Sequence, residues 1–156
     1  MNKYMKIANE LAKENIITNN GGPFGAVIVK DGKIVGKGNN HVVLDNDPTA
    51  HGEMVAIRDA CKNLNTFDLS GCDLYTSCYP CPMCLSASIW ANIKTIYYGN
   101  TKEDAEDIGF RDDFIYEYIK NNNKNESTLK LIQIDRDETI KAFEEFKNKT
   151  ENKTMY

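Results

Sequence analysis

A chain of 156 residues with 41% hydrophobic and 27% charged side chains is the size of one globular domain. It is long enough to bury a core without disulfide staples. Its net charge of −4, from 19 Lys+Arg against 23 Asp+Glu, argues against a nucleic-acid or anionic-membrane surface, since both need a basic excess. No apolar run approaches the ~18 residues of a membrane helix, and residues 1–20 do not read as a secretory signal. The expectation is a cytoplasmic protein forming a single domain over residues 1–156.

The predicted elements follow in chain order. Tyr4, Ile7, Ala8, Leu11, Ala12 and Ile16 recur at helical spacing, which predicts an amphipathic helix over 3–18. Gly21-Gly22-Pro23 ends it. Gly25 to Val29 reads as a strand, Asp31-Gly32 as a hairpin turn, and Ile34 to Asn40 as the returning strand. A polar loop spans Leu44 to Pro48, and His51 to Leu64 has helical periodicity. Cys72 to Thr76 reads as a strand, Pro82 to Ala91 as a helix and Lys94 to Tyr98 as a strand. Ala105 to Ile119 carries one or two short acidic helices, and Asn121 to Ser127 a loop. Leu129 to Ile134 is the expected last strand and Glu138 to Lys147 the last helix, followed by a polar tail. A hairpin followed by alternating helices and strands predicts an α/β layer fold with a mixed sheet.

The five cysteines, Cys61, Cys72, Cys78, Cys81 and Cys84, are odd in number, which argues against a disulfide framework. Their clustering points to metal binding or catalysis. Two segments concentrate that chemistry, His51-Gly52-Glu53 and Pro80-Cys81-Pro82-Met83-Cys84. Each is expected to open a helix. Cys81 falls at the N-cap with Pro82 at the first helical position, where a missing N–H costs nothing. Cys84, three residues on, shares its face. The positive end of the helix dipole favours their thiolates, the form that binds zinc. His, Cys and Cys leave the fourth tetrahedral position open, the mark of a catalytic zinc. Such a metal lowers the pKa of water, and a neighbouring carboxylate, Glu53, can take the proton. Ligand type favours zinc over iron.

This is the H-x-E … P-C-x-x-C signature of zinc deaminases. The wider strings, Asp47 to Glu53 and Thr76 to Cys84, resemble the cytidine deaminase-like superfamily. Within it, Gly21-Gly22-Pro23-Phe24-Gly25, Trp90 and Gly109 to Phe114 are most similar to the bacterial guanine deaminase branch.

The resemblance implies a three-layer α/β/α fold with a mixed five-stranded sheet. It implies zinc on His51, Cys81 and Cys84, and Glu53 as the proton shuttle. It further implies Asn40 holding the base, Phe24 and Trp90 forming an apolar wall, and Asp112 reading guanine as an acceptor-only carboxylate. The implied assembly is a homodimer with the C-terminal segment, about 136–156, exchanged, so that Tyr156 reaches a partner's site. The implied activity is hydrolytic deamination of guanine to xanthine and ammonia. Two positions depart from the pattern. Gly52 stands where Ala is usual, at a helix cost of roughly 0.5–1 kcal/mol, and opens space beside the metal. Tyr79 stands where Glu is usual.

Other readings of the same residues remain. Cys78, Cys81, Cys84 and His51 could close a structural Cys₃His zinc site in a non-enzymatic binding module, which leaves Glu53 without a role. A redox Cys-x-x-Cys leaves both His51 and Glu53 unexplained. Another small aminated heterocycle, cytosine or an aminotriazine, is an alternative substrate, as is the adenosine of a tRNA. Cys61 and Cys72 read as core packing.

Overall fold

In the computed structural model, which describes residues 1–156, the chain forms two compact units, residues 1–112 and 113–156. The first unit carries helix α1 (Lys3–Thr18), strands β1 (Gly25–Lys30) and β2 (Lys33–Asn39), helix α2 (Gly52–Leu64), strand β3 (Cys72–Cys78), helix α3 (Pro82–Trp90), strand β4 (Thr95–Asn100) and helix α4 (Lys102–Asp107). The second carries α5 (Asp113–Lys120) and α6 (Arg136–Asn148).

Local chemistry explains most of these boundaries. The Asn2 side chain caps α1 by accepting from the backbone N–H groups of Tyr4 and Met5, which have no partner inside the helix. Asp31 (φ 49°) and Gly32 (φ 74°) both adopt the left-handed backbone that a two-residue hairpin needs to match strand twist. Thr101 and Asp104 form a reciprocal capping box at the start of α4. Gly109, at φ 96°, lies between α4 and α5, so the expected helical stretch from Ala105 to Ile119 is two helices.

The sheet is mixed, in the order β2-β1-β3-β4. β1 runs antiparallel to both β2 and β3, and β3 runs parallel to β4. α3 supplies the crossover that a parallel pair requires. Residues 25–29 of β1 are all buried, as expected of a central strand covered on both faces. On one face Ala26, Ile28 and Leu74 pack with Ala56, Ile57 and Ala60 of α2 and with Ala91 and Ile93. On the other face lies α1, close enough that a Cβ on Gly25 would meet the Ala8 carbonyl. Gly36 and Gly38 of β2 likewise let α2 lie directly on the strand, since a Cβ at either would sit 2.5 Å from the α2 backbone. α1 and α2 thus sandwich the sheet.

The sheet has four strands, not the expected five. Leu129 to Ile134 has a strand-like composition but joins no ladder, and Leu131, Ile132 and Ile134 are exposed. Alternation alone does not make a strand, because the backbone groups must find a partner edge. Within the second unit, Tyr118 is buried and its hydroxyl donates to the Leu129 carbonyl at 3.2 Å.

Candidate metal centre and substrate cavity

Two helix N-termini converge at the site. His51 is the N-cap of α2 and Cys81 the N-cap of α3, both in extended backbone geometry. Pro82 takes the first helical position, and Cys84 follows one turn on. The segment leading into His51 is held by its own polar side chains. Asp47 accepts from both the backbone N–H and the hydroxyl of Thr49, at 2.8 and 2.7 Å, which lowers the Asp47 pKa. The His41 N–H donates to the Ala50 carbonyl at 2.9 Å.

His51 Nδ1 lies 3.5 Å from Cys81 Sγ and 3.7 Å from Cys84 Sγ, and the three donor atoms fall within 4.8 Å of one another. Nitrogen and sulfur ligands around a tetrahedral zinc are separated by about 3.6 Å, given bonds of roughly 2.0–2.1 and 2.3 Å. Both distances match that edge, so the residues fit the metal in donor type and spacing. Cys78 is outside this group. Its thiol donates to the Thr101 carbonyl at 3.5 Å, and burial pushes its pKa up to about 11. A closed Cys₃His arrangement is therefore not what the fold assembles.

The sulfurs are electrostatically unequal. A hydrogen bond from Cys84 and the adjacent His51 hold Cys81 down to about 4, and the same hydrogen bond together with burial pushes Cys84 up. One thiolate and one thiol share a proton, which a metal displaces when both sulfurs ligate. The His51 pKa is raised, first by its hydrogen bond with Cys81.

Glu53 lies in the first turn of α2 and is only 6% exposed. Thr76 Oγ1 donates to its Oε1 at 2.9 Å, while its Oε2 faces Cys84 Sγ at 3.4 Å. Burial raises the carboxyl pKa, toward the range in which a group both takes and returns protons near neutral pH.

The donors open onto a cavity of about 930 Å³. Phe24, Asn40, His51, Glu53, Tyr79 and Asp112 are among its walls. The Phe24 and Phe110 rings meet edge-on at 5.0 Å. Asn40 is buried, and its Oδ1 accepts from the Val42 N–H at 3.0 Å. Tyr79 packs edge-on against Tyr98 at 5.0 Å, with Lys102 Nζ 4.6 Å from its ring centre.

Three expectations fare differently. Trp90, expected in the apolar wall, ends α3 with 69% of its surface exposed and is not a cavity residue. Phe110 stands against Phe24. Tyr156 belongs to the second unit and is exposed. At Gly52, the missing side chain leaves no space beside the metal donors. A Cβ there would lie 3.1 Å from the Phe24 carbonyl oxygen, so the room belongs to the backbone of Phe24 and Gly25 where the chain enters β1.

Two polar residues of the site carry no motif signal of their own in the sequence. Thr76 lies in a strand at the flank of the cysteine motif, and Asn15 within an amphipathic helix. Its signal was its position, one turn beyond Leu11 and Ala12 on the apolar stripe of α1, where a polar side chain needs partners.

A mixed α/β sheet that brings one His and two Cys from two helix N-termini to a buried glutamate defines the zinc-dependent deaminase class. The model of the cytidine and deoxycytidylate deaminase zinc-binding region matches residues 1–100, and the chain belongs to that family. It is 47% identical over 145 residues to guanine deaminase of Bacillus subtilis (strain 168), covering 93% of this chain and 92% of the relative. The X-ray structure of guanine deaminase from Bacillus subtilis superposes with a TM-score of 0.92 at 46% identity, covering 100% of this chain and 99% of that one. A tRNA-specific adenosine deaminase of Buchnera aphidicola subsp. Schizaphis graminum is 36% identical over 128 residues, 81% of this chain and 82% of the relative.

Proposed function

We propose that this chain is a zinc-dependent aminohydrolase that converts free guanine to xanthine and ammonia, a step of purine breakdown. The observation that carries the substrate is the near full-length likeness to a guanine deaminase, at 47% identity. His51, Cys81 and Cys84 hold the zinc, which when bound supplies Lewis-acid activation of the attacking water. Glu53 takes a proton from that water and delivers it to N3 of the purine ring as the hydroxyl adds at C2, then takes the proton of that hydroxyl and passes it to the departing amine, so that the C2–N bond breaks as the C2 carbonyl forms. Thr76 keeps Oε1 engaged, so Oε2 on the Cys84 side is the oxygen left to move protons. Asn40 and Asp112 orient the base. The Asp112 carboxylate accepts from the N–H donors of the guanine amidine edge. Phe24 covers the ring, and its contact with Phe110 helps to exclude water.

The reading extends to a homodimer in which residues about 136–156 are exchanged and Tyr156 completes the partner's site. Exposed Ile132, Ile134 and Phe143 in the second unit support a covered surface there. Sedimentation equilibrium tests it: a monomer at micromolar concentration overturns the dimer.

The activity is tested by ammonia release from zinc-loaded protein across guanine, adenine, cytosine, their nucleosides and tRNA. Guanine should turn over fastest. Failure on guanine with zinc bound, and turnover of another member, would move the substrate and leave the reaction class standing.

A further inference from the structure

We propose that Asn15 is a positioning residue for the base-binding wall, acting through Asn40. The inference rests on the reading of the cavity as a nucleobase site. Asn15 lies on α1, is 3% exposed and reaches the cavity wall, and its hydrogen bonds go to loop backbone and Thr18 rather than to a metal donor or Glu53. Both hydrogen bonds of its amide nitrogen cross to other segments, one to the Gly22 carbonyl at 2.9 Å and one to the Asn40 carbonyl at 2.8 Å. Its Oδ1 accepts from Thr18 Oγ1 at 3.3 Å. A side-chain amide is the neutral group that donates twice from its nitrogen while accepting at its oxygen.

The two carbonyls lie on the two strips of backbone that form one end of the cavity, residues 21–24 and 40–43. These strips are joined by the Asn40 N–H to the Phe24 carbonyl at 3.0 Å, and their flanks by the Val43 and Leu44 N–H groups to the Asn20 carbonyl at 3.0 Å each. Asn15 ties them at the centre. Gly21 is packed so closely beneath Asn40 that a Cβ would meet its Oδ1 and its carbonyl. With Oδ1 of Asn40 committed to the Val42 N–H, the Asn40 amide N–H groups are the part of that side chain left for a ligand's acceptor. Where they point depends on the backbone that Asn15 holds. The helix that covers the sheet thus also holds the backbone that carries the ligand-facing amide.

The test compares wild type, Asn15→Asp, Asn15→Ala and Ala8→Gly as full-length, zinc-loaded protein. Asn15→Asp keeps the shape and replaces the double donor by an acceptor facing two carbonyls. Ala8→Gly loosens the same buried helix face without touching the loop. For Asn15→Asp and Asn15→Ala, KM for guanine should rise about tenfold or more while kcat stays within about threefold, the signature of lost ground-state orientation. Zinc content should not change. Hydrogen exchange of the Asn40, Val42 and Val43 amides should quicken in both Asn15 variants and not in Ala8→Gly. An unchanged KM, or an equal rise in Ala8→Gly at matched loss of melting temperature, overturns the proposal. If wild type does not act on guanine, the functional reading falls. The exchange measurement then still decides whether Asn15 holds this wall, and unchanged protection sinks it.

Discussion

Thr76, near the end of β3, donates its hydroxyl hydrogen to Oε1 of Glu53 in the first turn of α2, at 2.9 Å, with both side chains buried. A strand on one side of the site thereby fixes the rotamer of a carboxylate carried by a helix on the other. Replacing Thr76 with Val keeps the volume and removes the donor. A hydrogen bond to a charged group is worth about 1.5–3 kcal/mol, so kcat should fall about tenfold or more with KM for guanine little changed. Thr76→Ser should restore most of it. Equal kcat in the Val variant would show that Glu53 is held by packing alone.

Glu53→Gln retains the shape of the side chain and its contact with Thr76, but cannot accept a proton. Turnover should drop by about 10²–10⁴-fold, the usual range for a general acid–base. Zinc content, measured by atomic absorption, should stay at that of wild type. A variant that remains active would remove Glu53 from the chemistry.

Cys81→Ala and Cys84→Ala should each lose zinc, whereas Cys78→Ala should keep it, because the Cys78 thiol is turned to the Thr101 carbonyl. Stripping the metal with a chelator should lower the melting temperature of wild type, since a ligand that binds only the folded state stabilises it. The same treatment should leave Cys81→Ala unmoved. Zinc loss in the Cys78 variant would instead support a closed, structural site.

Asp112→Asn exchanges an acceptor-only carboxylate for a group that also donates, at the wall of the cavity. For guanine, kcat/KM should fall about tenfold or more, mostly through KM. Adenine, which offers a different hydrogen-bond edge, should not lose in the same proportion. An unaffected guanine KM would take Asp112 out of base recognition.

Gly38 and Gly52 should respond oppositely to alanine. At Gly38 the new methyl would lie 2.5 Å from both the Ala56 nitrogen and the Gly52 carbonyl oxygen, backbone atoms that cannot yield. The loss should be about 3 kcal/mol or more, at the upper end for overpacking. At Gly52 the nearest atom is 3.1 Å away, and a helix propensity gain of about 1 kcal/mol offsets the squeeze. Gly52→Ala should leave the melting temperature within a few degrees of wild type, as read by calorimetry.

The sequence by itself determined the first four strands, most helix boundaries and the metal donors. Those signals are local, because turn residues, caps and apolar period act within a few residues. The zinc chemistry was legible for the same reason. His51, Cys81 and Cys84 mark two helix starts, and only their residue types and spacing were needed to recognise a ligand set. Tertiary structure alone decided what each remaining side chain faces. Leu129 to Ile134 has the pattern of a strand but joins no ladder, and Trp90, an aromatic residue beside the cysteine motif, lies exposed at a helix end. Asn15, Thr76 and Gly52 gain their meaning from atoms that are 25, 23 and 28 residues away in sequence. Such pairings depend on how the helices are laid on the sheet, and no short-range pattern encodes them.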